Sequence, residues 1–353
     1  MKSSLAALPG ACVLACSSFL FTGYAPAAGT GDSTGCESTA PTTKDELRPP
    51  TGESHAVTQI RPATERVEAT PETVAEAMAQ MERRAKEECR QWADKAFEEF
   101  EWSTYKEPFP GGKYIVSGDI AISDRNRLRE FFETRIKREP SETVPGALIV
   151  HKVGGRDAIW DSNQKKHLTY CVSSAFGDRQ QQVIKDMEAA SGAWEEIADV
   201  DFIHVAAEDA DCTPENADVV FDIRPVNVDG QYLARAFFPN EERAERNLLI
   251  EESAFNLDPD GALQLVGILR HEIGHTLGWR HEHTRPESGT CFEDNNWRPL
   301  TDYDRFSVMH YPQCNGGADW SLKLTHVDKN GAACVYGAAP GFQVDPQICQ
   351  ERG

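Results

Sequence analysis

Five residues between positions 271 and 281 restrict this chain more than any other stretch: His271, Glu272, His275, Gly278 and His281, within HEIGHTLGWRHEHTRPE. Residues four apart on a helix share a face, one turn above the other, so His271 and His275 project their imidazoles side by side. Two nitrogens at that separation suit one metal ion, with Glu272 beside an open coordination position. The bare His-Glu-x-x-His pattern also arises by accident on solvated helices. Gly278 separates the two readings. A glycine can take the left-handed conformation that ends a helix, after which the chain can swing back and deliver His281 as a third ligand. A solvated face needs no glycine at that position.

About thirty residues on lies Ser307-Val308-Met309-His310-Tyr311. A methionine in a tight turn offers a soft, apolar floor beneath three imidazoles. Tyr311 could reach the metal or a substrate oxygen with its phenol. His283 and His310 read as surface or supporting groups, because three histidines and a water already saturate a zinc ion. His204, in FIHVA, reads as a sheet residue.

The histidine motif and this turn together resemble the metzincin superfamily of zinc endopeptidases. HEHTRPE followed by SVMHY is most similar to the astacin branch or a bacterial relative of it, over roughly residues 160 to 340. The resemblance implies one catalytic Zn2+ bound by His271, His275 and His281, with Glu272 as general base. It also implies Tyr311 as a switchable fifth ligand that stabilises the transition state, and Glu282 as the residue that helps hold a mature N-terminus. LTHVDKNGAACVYG is similar to the C-terminal helix region of such enzymes. The chain departs from astacins where RPESGTCFEDNNW replaces the usual Arg-x-Asp-Arg-Asp continuation, so a neighbouring branch fits as well as the astacin family proper. Val116-Ser117-Gly118-Asp119-Ile120 resembles the Phe-x-Gly-Asp motif of astacin prosegments, whose aspartate occupies the open zinc position, with Val in place of Phe. A plain Gly-Asp turn is the competing reading. If Asp119 blocks zinc, the chain is a zymogen and activation needs a cut between about residues 120 and 160. The loop Val153-Gly154-Gly155-Arg156 is a candidate.

Around this site the hydrophobic pattern sets an α+β fold. LTYCVSSAF, FIHVA, VVFDIRPV, YLARAFF and NLLIEESAF read as strands. Helical spacing covers Asp178 to Ala198, with Val183, Met187, Ala190, Trp194 and Ile197, and again about Asp260 to Trp279. A twisted mixed sheet carrying two long helices, with an irregular C-terminal subdomain, is the simplest packing and the metzincin-like one. A short helix at THVDKNGAACVYG is the one legible element late in the chain.

Upstream, Thr70-Pro71 starts a helix whose stripe runs Val74, Met78, Met81, Ala85, Cys89, Trp92, Ala96 and Phe100. KYIVSGDIAI reads as a strand with a turn at Gly118-Asp119. A short helix capped by Ser123 carries Leu128, Phe131, Phe132 and Ile136. This core is thin and should pack on something larger. The domain reading is therefore a signal peptide at 1–27, a disordered linker at 28–72, an accessory or pro-like region at 73–150, and a metallopeptidase domain at 155–353.

The linker follows from its Thr, Pro, Glu, Ser and Gly content, which buries too little to offset chain entropy. The signal follows from Lys2, the apolar run Leu5 to Tyr24, and Ala25-Pro26-Ala27. Pro9, Gly10 and Ser17-Ser18 interrupt that run, against a membrane span. Val13-Leu14-Ala15-Cys16 resembles a lipoprotein box, which makes Cys16 a candidate lipid anchor and the outer surface an alternative to secretion. Eight of the ten cysteines follow the signal, and an even number in an exported chain favours disulfides. Eight allow 105 pairings. Cys291 with Cys314 is the one pairing expected, because both flank the loop beside the site.

The formal charge of −21 and pI near 4.9 repel phosphate backbones and anionic lipid, so nucleic acid is excluded as a partner. Protein or peptide substrates would bind as an extended strand beside YLARAFF, where Arg235 faces either solvent or the cleft. Two other classes stay open: a zinc-dependent amidase acting on a small or cell-wall substrate, and a non-catalytic surface protein stabilised by zinc. The second has no need of Glu272.

Overall fold

The computed structural model describes residues 94–136, 148–289, 291, 293, 296–317 and 319–348. The signal, the linker, Cys16 and the helix stripe from Val74 to Trp92 lie outside these residues.

Helix α1 (94–103) is followed by three short strands, β1 (Tyr105–Lys106), β2 (Tyr114–Val116) and β3 (Ile120–Ile122), and by helix α2 (Arg125–Ile136). The strands form an antiparallel meander in the order β1-β2-β3, with Val116 opposite Ile120. Three residues therefore turn the β2–β3 hairpin. Ser117 and Gly118 both take positive φ, 51° and 97°, and glycine pays no steric penalty for doing so. Phe97, Val116, Ile120, Leu128, Phe131 and Phe132 make a small core, completed by Phe238 from later in the chain. The thin core thus does pack on a larger body. The cap of α2 is Asp124, whose Oδ1 accepts from the Asn126 and Arg127 amides at 2.7 and 3.0 Å, and not the expected Ser123.

The larger body is built on a five-stranded sheet of β6 (Leu168–Val172), β7 (Phe202–His204), β8 (Phe221–Val226), β9 (Ala234–Arg235) and β10 (Asn247–Glu251), in the order β7-β6-β8-β10-β9. All pairs are parallel except β10–β9, which leaves β9 as an antiparallel edge. Helices α3 (Gln180–Glu195) and α4 (Leu265–Thr276) cover one face. Ile223, Leu248 and Ile250 of the sheet meet Val183, Met187 and Trp194 of α3 and Leu269 and Ile273 of α4 in the main core. Trp194 also donates its indole N–H to the Arg270 carbonyl at 3.0 Å, which fixes the two helices to each other. The α+β architecture is the one expected.

Helix α4 is shorter than its sequence pattern. Residues 258–261 form a turn, and Gln264 donates its amide to the carbonyls of Asp258 and Gly261, so the helix begins only at Leu265. A third sheet escapes the sequence reading. There β4 (Ile149–Val153) pairs with β5 (Arg156–Asp157), β11 (Trp279–Arg280) and β12 (Trp297–Pro299). Helix α5 (His326–Tyr336) opens on a capping box between Thr325 and Asp328. Disulfides join Cys291 to Cys314, as expected, and Cys171 to Cys212. No helix among the described residues is long and apolar enough to cross a membrane.

Candidate metal centre and active site

Helix α4 carries His271, Glu272 and His275, and all three are buried. At its end Gly278 takes φ 96°, and its amide donates to the His275 carbonyl at 2.9 Å. A Cβ there would lie 2.3 Å from the carbonyl oxygen of Ala158, so glycine is required by space as well as by conformation. The chain then runs through β11, paired antiparallel to β4, and brings His281 back over the helix.

The rings converge. The Nε2 atoms of His271 and His275 each lie 3.2 Å from that of His281. Every Nδ1 is occupied: His271 donates to the Val308 carbonyl at 2.7 Å, His275 to the Trp279 carbonyl at 2.7 Å, and His281 to Glu293 Oε1 at 2.5 Å. With Nδ1 carrying the hydrogen, each ring when neutral offers a lone pair at Nε2, and the three Nε2 atoms point to one place. Zinc–nitrogen bonds of about 2.0–2.1 Å in a tetrahedral site space the nitrogens about 3.3–3.4 Å apart. The spacing and the donor set fit a zinc ion.

Asp119, at the tip of the β2–β3 hairpin, reaches the same place. Its Oδ1 is 3.0 Å from His281 Nε2 and 3.7 Å from His275 Nε2, and its Oδ2 is 3.4 Å from His271 Nε2. Asp119 with the three histidines forms a four-residue group of metal-ligating type, all buried. Burial opposes charge on His281, but the carboxylates of Asp119 and Glu293 outweigh it and push the ring up to about 10. The meeting point of the rings attracts positive charge.

The turn at Ser307–Met309 lies beneath. Met309 is fully buried, and a Cβ on Gly274 of α4 would fall 2.3 Å from its sulfur, so glycine lets the helix settle on the methionine. The Met309 carbonyl accepts the Glu282 amide at 2.8 Å, which binds the turn to the segment carrying His281. Tyr311 places its ring 4.5 Å from that of His281 and 5.6 Å from that of His271, and donates its hydroxyl to Asp119 Oδ2 at 2.5 Å. Glu272 borders a cleft of about 230 Å³ whose wall includes Tyr232, Leu233, Ala234, Leu263 and Trp320. Burial, reinforced by the charge of Asp119, raises the Glu272 carboxyl well above its usual range, and its Oε2 has no hydrogen-bond partner among the described residues.

A sequence profile of the matrixin family matches residues 160–288, a stretch that holds the sheet, both long helices and all three histidines. Short stretches are also similar to zinc metalloproteinase nas-30 of Caenorhabditis elegans and to astacin-like metalloprotease toxin 2 of Loxosceles intermedia. The first is 37% identical over 73 residues, covering 15% of this chain and 10% of that protein. The second is 33% identical over 91 residues, covering 20% of this chain and 36% of the toxin. Residues 160–288 form a metzincin-family domain. The chain spans about a tenth and about a third of the length of these two relatives.

Within the metzincin domain, the residues expected to act together are brought together. His283 and His310 do not face the ion position and are not on the surface. His283 accepts the Tyr311 amide at Nδ1, and His310 pairs with the Tyr303 hydroxyl at 2.8 Å. Arg235 faces neither solvent nor an open cleft. It is 1% exposed and forks onto Glu107, with Nε–Oε1 at 2.6 Å and Nη2–Oε2 at 2.9 Å. Two supporting carboxylates, Glu107 and Glu293, are absent from the sequence reading, because neither stands at a fixed spacing from the histidines. Glu282 is fully buried, and its Oε1 accepts the Asp304 amide at 3.2 Å.

Proposed function

We propose that this chain is an exported zinc-dependent endopeptidase, held latent in this conformation by Asp119. The observation that carries the reading is the convergence of three Nε2 lone pairs beside Glu272, in a cleft bordered by an unpaired sheet edge. Bound at His271, His275 and His281, zinc would polarise a carbonyl and lower the pKa of water. Glu272 takes the proton of the attacking water and returns it to the leaving amine. Its Oε2, buried and without a partner among the described residues, supports that role. The Tyr311 hydroxyl, once released from Asp119, donates to the oxyanion that forms on the substrate carbonyl. The edge of β9 offers backbone groups to an extended peptide, which favours protein substrates over compact amides. Export rests on the N-terminal signal pattern and on disulfides such as Cys171–Cys212 and Cys291–Cys314, which persist in oxidising compartments.

Asp119 blocks this arrangement twice, at the histidines and at Tyr311. Casein cleavage, with and without a chelator, compared between the full chain and Asp119→Ala, tests the reading. The variant should be the more active of the two, and the chelator should abolish its activity. Glu272→Gln, added to Asp119→Ala, should retain zinc and lose cleavage; retained turnover refutes the assignment. Tyr311→Phe in the same background should lower kcat about 10²–10³-fold with metal content unchanged. A wild-type kcat removes the tyrosine from the mechanism.

A further inference from the structure

The three histidines are held differently. His271 and His275 sit on a rigid helix and donate Nδ1–H to neutral backbone carbonyls. His281 sits outside the helix, just before a single 3-10 turn at Glu282–Thr284, and donates instead to a carboxylate. That carboxylate, Glu293, does more than meet one ring. Its Oε2 accepts from the guanidinium of Arg280, and its Oε1 also lies 3.4 Å from His283 Nε2. One fully buried side chain therefore clasps residues 280, 281 and 283.

We propose that Glu293 is the positioning residue of the third ligand: it fixes the orientation and tautomer of His281, and the Cys291–Cys314 disulfide holds it in place. The proposal rests on the reading of His281 as a metal ligand. A charged acceptor at Nδ1 makes the opposite nitrogen a stronger donor than a carbonyl acceptor does, and partners of this kind commonly change metal affinity 10–100-fold. The bridge supplies what the loop lacks. Glu293 stands two residues after Cys291, while Cys314 stands three after Tyr311. The disulfide thus joins the support of the third ligand to the segment that carries the phenol. Helix α4 positions two ligands by its own hydrogen bonds, and the clasp does for His281 what the helix cannot.

Zinc affinity of the full chain, measured by competition with a chromophoric chelator, tests this without recourse to activity. Glu293→Gln keeps the shape and an acceptor oxygen but loses the charge, and should weaken zinc binding at least tenfold. The visible absorption of the Co2+-loaded variant should shift as the third nitrogen moves, a change that a purely structural role would not produce. The double variant Cys291→Ser/Cys314→Ser leaves Glu293 in place and should weaken zinc about three- to tenfold. His281→Gln is the control and should lose at least a hundredfold. Zinc affinity within twofold of wild type in both Glu293→Gln and the double serine variant, with an unshifted Co2+ spectrum, overturns the positioning role. Unchanged affinity in His281→Gln overturns the ligand assignment beneath it.

Discussion

Replacing Glu107 with alanine isolates the grip of the N-terminal unit on the sheet edge. The Glu107 carboxylate accepts from Arg235 Nε at 2.6 Å and Nη2 at 2.9 Å, from the Tyr232 hydroxyl at 2.5 Å and from the Lys113 amide at 2.9 Å. Its loss leaves Arg235 buried and its charge without a carboxylate, still held by Asn247. Breaking a buried pair from one side costs about 3–5 kcal/mol. The neighbouring bridge of Arg127 to Glu241 is half exposed on the arginine side and contributes about 0–1 kcal/mol. Glu107 therefore carries far more of this contact than Arg127 does, alongside the buried Lys113 bridge to Glu245. A meander of two- and three-residue strands is not stable alone, so undocking should expose its amides together. At about 1.4 kcal/mol per decade, exchange of the amides of β2 and β3 should quicken roughly 10²- to 10³-fold. Amides of α3 should not change. Hydrogen–deuterium exchange read by mass spectrometry resolves the two regions. Glu107→Met with Arg235→Met should recover most of the protection, because no charge is then left buried. An exchange rate in Glu107→Ala within tenfold of wild type would refute the reasoning.

Gly278→Ala should cost at least about 2–3 kcal/mol, from the positive φ alone and more from the Ala158 carbonyl, and should weaken zinc binding in step. Urea denaturation and metal titration check it, and a variant with normal values for both would dissociate the helix reversal from the site. His151 gives a pH test. Burial, with the charge of Arg280 adding, lowers its pKa to about 3 from the usual 6.5, so the folded chain binds fewer protons than the unfolded one. Stability from this group is complete above about pH 6.5 and falls as pH drops toward 3, by about 2 kcal/mol at pH 5. His151→Gln should remove that part of the slope in denaturation midpoints between pH 7 and 5, and an unchanged slope would count against it.

The clustering of the histidines was legible because a helix converts spacing into direction. Residues 271 and 275 must share a face, and a glycine three residues later has one good reason to be there. The main sheet was legible for a related reason, since its strands are apolar and bounded by turns. What the sequence did not disclose is long-range. Strands β11 and β12 are two and three residues long, and their partner β4 lies more than a hundred residues upstream, so no local pattern marks them. Arg235 read as facing either solvent or the cleft because its partner stands 128 positions away. Glu293 lies among the acidic residues of a loop, and only the folded chain shows that it is fully buried against His281. The Ser123 cap failed by one position, a choice between adjacent Ser and Asp that backbone geometry makes.

A Cβ at Gly118 would stand 2.8 Å from the Tyr311 hydroxyl. The hairpin tip thus occupies the volume through which the phenol would have to swing, while the next residue stands against the imidazoles. If Asp119 holds the chain latent as proposed, the imidazoles and the phenol come free together or not at all. On that reading a nick in the leader that leaves the wedge in place does not open the site.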